Sequence, residues 1–110
     1  MISVIVPFYN EEENIKPLHE QLSTVLTDLN RQYEILFVDD GSTDNTFKNM
    51  QKVREKNNNL KIIKLRKNFG QSAALKAGFD HAKGNIVISM DGDLQNDPAD
   101  MPELINFFKD

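Results

Sequence analysis

The sequence predicts an α/β domain: a Rossmann-like, three-layer αβα sandwich around a mostly parallel sheet. Two observations carry that prediction. Apolar, β-branched runs of strand length alternate with stripes of helical period, in the order βαβαβαβα. The polar clusters fall just after strands, at Pro7 to Glu11, Asp39-Asp40 and Asp91-Gly92-Asp93. In a doubly wound sheet those ends lie on one face, where ligands bind beside the switch in strand order. Right-handed crossovers and the usual order 3-2-1-4 would place strands 1 and 4 around that switch.

Ile2-Ser3-Val4-Ile5-Val6 reads as a buried strand that stops at Pro7. Ile15, Leu18, Leu22, Val25, Leu26 and Leu29 form a helical stripe. Asn10 with Glu13 has capping-box spacing. Asn14 is the alternative cap, and Pro17 would then sit in the first turn, where proline is tolerated. Tyr33 to Val38 is a second strand. Ser42 or Thr43 is expected to cap a helix bearing Phe47, Met50 and Val53. Asn57-Asn58-Asn59 reads as a turn. Leu60 to Leu65 is a third strand, and a small-residue helix runs from about Gln71 to Lys83. Gly84 is placed as its C′ glycine. Asn85 to Met90 is a fourth strand. Asp97 as cap and Pro98 at the first helical position open a last helix, with Met101, Leu104, Ile105 and Phe108 as its apolar face.

A chain of 110 residues fits one domain, 1–110, and leaves no room for a separate substrate domain. Lys plus Arg is 13 against 17 for Asp plus Glu, a formal net charge of −4. That balance argues against a grip on nucleic-acid phosphates. With no cysteine, disulfides, thiolate zinc sites, cysteine nucleophiles and iron–sulfur clusters are excluded. No apolar run reaches the roughly 18–20 residues of a membrane span. Met1 to Pro7 lacks the basic region and cleavage site of a signal peptide, so a cytoplasmic location is expected for the chain as it stands.

The strand-end clusters limit the chemistry. Asp91-x-Asp93 brings two carboxylates together, and a hard divalent cation, Mg2+ or Mn2+, relieves their repulsion while leaving positions for phosphate oxygens. A solvated turn is the plain alternative for a bare Asp-x-Asp. An EF-hand does not fit: counting from Asp91, the sixth residue is Asn96 and the twelfth is Pro102. Asp39 after the second strand suits hydrogen bonds from a base N–H or ribose hydroxyls. Gly41 and Ser42 are explained by a turn and a cap, with Asp40 serving that turn. Asn68-Phe69-Gly70 precedes a helix whose N-terminal N–H groups suit a phosphate, although Gly70 also reads as a turn glycine. Neither G-x-G-x-x-G nor a Walker A sequence is present. His19 and His81 lie on helices without clustered partners and read as structural or solvated.

Val4-Ile5-Val6-Pro7-Phe8-Tyr9-Asn10-Glu11-Glu12, Val38-Asp39-Asp40-Gly41-Ser42-Thr43-Asp44 and Asp91-Gly92-Asp93, in this order and spacing, resemble the inverting family-2 glycosyltransferases of the GT-A fold. Arg66-Lys67-Asn68-Phe69-Gly70-Gln71-Ser72-Ala73-Ala74-Leu75, Gly78-Phe79-Asp80-His81-Ala82 and Met90 to Pro98 are similar to the branch that charges polyprenyl phosphates, such as dolichyl-phosphate mannose synthases and bactoprenol glucosyltransferases.

The resemblance implies roles residue by residue. Pro7, Tyr9 and Glu11 would line the nucleotide pocket, with Val38 beside them and Asp39 on the base. Asn68, Gly70 and Ala73 would border nucleotide and sugar. Asp91 and Asp93 would hold the sugar diphosphate through the metal and serve as the catalytic pair, with Gln95 near the metal. The implied partners are a nucleotide-sugar donor and a polyprenyl phosphate acceptor, with the full-length protein at the cytoplasmic face of a membrane. Members of the family continue beyond this length, so the chain is expected to be the nucleotide-binding half, truncated at its C-terminus. An uncovered fourth strand would then be an edge open to self-association as a homo-oligomer. Two rivals remain: a family-2 enzyme with a polysaccharide or protein acceptor, and a magnesium-binding receiver-like module. The second would need its acidic pair after strand 1, where this chain has Pro7.

Overall fold

The computed structural model describes residues 1–90. They form β1 (Ile2–Phe8), α1 (Ile15–Asp28), β2 (Tyr33–Asp39), α2 (Thr46–Arg54), β3 (Leu60–Lys64), α3 (Gln71–His81) and β4 (Ile86–Ser89). All three strand pairings are parallel and the order is β3-β2-β1-β4. This is the expected order, with the switch between β1 and β4. The expected helix from Asp97 onward lies outside the described residues.

The alternation of side chains along each strand divides the core into two layers. Ile2, Val4, Val6 and Phe8 of β1 join Ile35 and Phe37 of β2 beneath Ile15, Leu18, Leu22 and Leu26 of α1 and Met50 of α2. Ile5, Leu36 and Val38 face the other way, against Ala74 of α3. Helices therefore cover both faces, and β1 is buried along its whole length. Gly78 lets α3 press onto the sheet: a Cβ there would collide with the Ile5 side chain. His19 is buried within α1, edge-on to Phe37, with Nε2 3.4 Å from Ser23 Oγ. Burial lowers its pKa against the opposing pull of Glu20. It is a structural histidine. His81, on the exposed end of α3, places Nδ1 2.8 Å from Ala77 O.

The ends of β2, β3 and β4 shift by one residue, and four further features differ from the sequence-based expectations. β1 does not stop at Pro7 but runs to Phe8. Ile2 N and Phe8 O bond on the β2 side, to Gln32 O and Asp40 N, whereas Ile5 O accepts from Met90 N on the β4 side. Pro7 shares the orientation of Ile5, so its missing N–H faces past Ser89, the last residue of β4, and no β1–β4 ladder bond is lost. Asn10 caps no helix: its φ is +53°, and Asn14 precedes α1 instead. Neither Ser42 nor Thr43 caps α2, which begins after Asn45, with Asp44 Oδ1 accepting from Thr46 N at 2.9 Å. Finally, α3 ends at His81 with Ala82 already extended, so Gly84 is not a C′ glycine. Gly84 lies against Met1 O and the Ser3 backbone and hydroxyl, where a Cβ would not fit.

Candidate functional site

The C-terminal ends of β1, β2 and β3 release three loops that are tied together by side chains. Asn10, just past β1, takes a left-handed conformation that asparagine tolerates better than most residues. Its N–H donates to Ser42 Oγ at 2.9 Å, and its Oδ1 accepts from Thr43 N at 2.8 Å. Glu11 N donates to Thr46 Oγ1 at 3.0 Å, and Asn49 Nδ2 donates to Glu12 O at 2.9 Å. The loop after β1 is thus anchored on the start of α2. Asp44 accepts both the N–H and the hydroxyl of Thr46. Burial raises its pKa, but those hydrogen bonds outweigh it and leave the pKa lowered.

The two carboxylates at the end of β2 have different tasks. Asp39 is fully buried. Its Oδ1 accepts from Ser42 N at 3.0 Å, which shapes the turn, while its Oδ2 has no hydrogen-bond partner among the described residues. Asp40, 4% exposed, reaches across to the loop between β3 and α3. Its Oδ1 accepts from Phe69 N at 2.8 Å, and its Oδ2 from Gly70 N at 3.1 Å and Asn68 Nδ2 at 3.2 Å. Gly41 (φ +71°) completes this seat, because a Cβ there would strike the backbone of Lys67 and Asn68. Asp40 therefore serves the neighbouring loop rather than its own turn. Phe69 and Gly70, just ahead of α3, direct their N–H groups at Asp40, whereas the helix N–H groups expected to suit a phosphate begin at Gln71.

The other expected site residues fall as follows. Pro7 is buried beside Val38 in the β1–β2 pairing. Val38 is packed in the core on the α3 side, so its side chain forms floor rather than pocket wall. Tyr9 is exposed. Glu11 is half-buried and accepts from Asn14 Nδ2 at 2.7 Å. Asn68 is exposed on its loop, Gly70 (φ +102°) immediately precedes α3, and Ala73 is exposed in the first turn of that helix. Asp91, Asp93 and Gln95 lie outside the described residues. Among the described residues, no group of three or more His, Asp or Glu side chains is placed to hold a metal ion. Asn10 and Thr46 were missed as parts of this framework. An asparagine two residues past a buried strand was the available signal, since asparagine is enriched at positive φ.

The model of glycosyl transferase family 2 matches residues 3–110. The chain belongs to glycosyl transferase family 2. It is 43% identical over 106 residues to the dodecaprenyl-phosphate galacturonate synthase of Rhizobium johnstonii, covering 96% of this chain and 31% of that protein. It is also 43% identical over 109 residues to an uncharacterized glycosyltransferase of Synechocystis, covering 99% of this chain and 34% of that one. The chain thus spans about a third of the length of these relatives. Among solved structures it resembles a mannosyltransferase of Pyrobaculum calidifontis in complex with GDP-Man and Mn2+. The TM-score is 0.75 at 29% identity, over 96% of this chain and 30% of that one. It also resembles glucosyl-3-phosphoglycerate synthase of Mycobacterium tuberculosis with Mn2+, UDP and glucosyl-3-phosphoglycerate. There the TM-score is 0.74 at 25% identity, over 96% of this chain and 38% of that one. No described helix is long and apolar enough to cross a membrane.

Proposed function

We propose that this chain is the nucleotide-sugar-binding part of an inverting, metal-dependent glycosyltransferase that transfers a hexose to a polyprenyl phosphate at the cytoplasmic face of a membrane. The observation that carries the donor half of this reading is Asp39. Among the described residues its Oδ2 is buried without a partner, which is costly unless a further group such as a ligand supplies the missing hydrogen. Its position at the end of β2, on the ligand-binding side of the sheet, matches a nucleobase N–H or a ribose hydroxyl. Support for the acceptor half comes from the dodecaprenyl-phosphate synthase relative.

In this reading, Tyr9 and Glu11 flank the nucleotide and Asp39 accepts from it. Asn68, Gly70 and Ala73 border the nucleotide and sugar. Asp91 and Asp93, with Gln95 nearby, would hold Mg2+ or Mn2+. When bound, the cation would offset the charge that develops on the departing nucleoside diphosphate. A lipid phosphate has a second pKa of about 6, so it is largely ionised at neutral pH and needs little help from a general base.

Calorimetric titration of the chain with UDP and with GDP, each with and without Mn2+, tests the donor half. One of the two should bind, and Asp93→Asn should weaken binding and remove most of its metal dependence. Binding that is unchanged in Asp93→Asn would exclude the metal assignment. For the acceptor half, the parent enzyme should carry labelled sugar from the nucleotide into the organic phase only when polyprenyl phosphate is supplied. Transfer to a polysaccharide or protein in its place would exclude the lipid acceptor.

A further inference from the structure

The seat formed by Asp40 and Gly41 fixes more than the path of a loop. Three hydrogens converge on the Asp40 carboxylate, from Asn68 Nδ2, Phe69 N and Gly70 N, and Asn68 Nδ2 also lies 3.2 Å from Asp40 O. Both atoms that Nδ2 meets are acceptors, so the Asn68 amide has one allowed orientation. The NH2 points inward to Asp40, and Oδ1 is left outward. That oxygen receives no hydrogen from any described residue. The Lys67–Asn68 backbone rests directly on Gly41, so the loop cannot sink further to rotate the amide.

We infer that Asp40 is a positioning residue that turns Asn68 into a hydrogen-bond acceptor for the bound nucleotide sugar. This rests on the nucleotide-sugar reading above. The loop then meets a ligand hydroxyl or base N–H through Asn68 Oδ1, rather than cradling a phosphate on its N–H groups. The Phe69 and Gly70 amides are already directed at Asp40, and the carboxylate adds a negative charge just ahead of α3, where the helix dipole favours an anion. A second anion beside that carboxylate would be repelled, whereas a hydroxyl donor is not. Asp39 and Asn68, from adjacent loops, thus offer the ligand two acceptors.

A double-mutant cycle on nucleotide affinity tests this. The probe is whichever of UDP and GDP the wild-type chain binds more tightly, measured with Mn2+ present and well below the melting temperature of each variant. Asp40→Asn removes one acceptor and sets an NH2 against one or two of the three donors. Asn68→Ala removes the presented oxygen. Each should weaken binding about tenfold, and the double variant should be no more than about twofold weaker than the poorer single, because both remove the same contact. Asn68→Asp is the decisive arm and does not depend on Asp40→Asn folding. It keeps an oxygen at the right distance but loses the tether, so it should bind as weakly as Asn68→Ala. Additive losses in the cycle, or wild-type affinity in Asn68→Asp, would overturn the inference while leaving the nucleotide reading intact. Failure of the wild-type chain to bind either nucleotide would instead overturn that reading, and this inference with it.

Discussion

β2 carries a buried acid near each end, and the two are treated differently. At the N-terminal end, Glu34 is 3% exposed and fully engaged. Its Oε2 accepts from Ser3 Oγ at 2.6 Å and from Lys83 N at 2.7 Å. Its Oε1 is held by the Lys61 ammonium at 2.6 Å, which serves as its counter-charge. Ser3 Oγ in turn accepts from Gly84 N at 2.8 Å. This network pins the turn between α3 and β4 to the sheet. At the C-terminal end, Asp39 holds one turn amide and keeps Oδ2 without a partner among the described residues. Both oxygens of Glu34 are engaged within the fold, whereas Asp39 leaves the acceptor that the proposed nucleotide would use. In the proposed reading, the same strand has a structural end and a ligand-facing one, as expected when ligands gather beyond the strand C-termini.

The comparison can be broken most forcefully at Glu34. Glu34→Ala leaves the Ser3 hydroxyl and the Lys83 amide to find new partners in a confined space. It should lower unfolding stability by about 2–4 kcal/mol. Lys61 is partly exposed and can return to water, so it adds little to that loss. Urea unfolding gives the size. Calorimetry on the folded fraction should show unchanged nucleotide affinity, and a loss of affinity as large as that of the site variants would erase the distinction between the two ends.

The reverse pattern is expected at Asp39. Asp39→Asn can keep its carbonyl oxygen on Ser42 N, so stability should change by less than about 1 kcal/mol. Nucleotide affinity should fall about tenfold, which corresponds to about 1.4 kcal/mol. If melting drops while affinity holds, Asp39 belongs with Glu34 as a structural acid.

The smallest effect is in acid. Burial pushes the Glu34 pKa up, but the Lys61 ammonium, the Lys83 N–H and the Ser3 hydroxyl outweigh it and leave it below the ordinary 4.5. A carboxylate with a lower pKa folded than unfolded contributes stability that is complete above the unfolded value. That contribution is lost as pH falls through the folded value. Wild-type stability should therefore decline from about pH 4.5 downward, and Glu34→Gln should show a shallower decline over the same interval. Parallel pH profiles for the two proteins would remove Glu34 from the acid response.

Much of this protein was legible in its residues, because the relevant signals are local. Apolar period assigned every described strand and helix, and the βαβ alternation led to the order β3-β2-β1-β4. The placement of the polar clusters pointed to one end of the sheet as the candidate site, and the motifs pointed to the family. The errors were at loop residues that compete for several partners. Asn10, Ser42 and Thr43 each have the side chain of a helix cap, yet they hydrogen-bond to one another across two loops. Pro7 looked like a strand terminator because its neighbour on each side was not yet known.

What pattern could not supply is which acid does what. Asp39 and Asp40 are adjacent and chemically identical, and their division of labour depends on partners that arrive from elsewhere in the fold. Ser42 comes from the turn just after Asp39, whereas the Phe69 amide that meets Asp40 is 29 residues along the chain. Side chains alternate along a strand, so neighbouring residues point to opposite sides and meet different surroundings. Secondary structure is written in short-range period and can be read in order. A hydrogen-bond network between loops forms only after the sheet has brought strand ends together, and the residues that close it carry no mark of their partners beforehand.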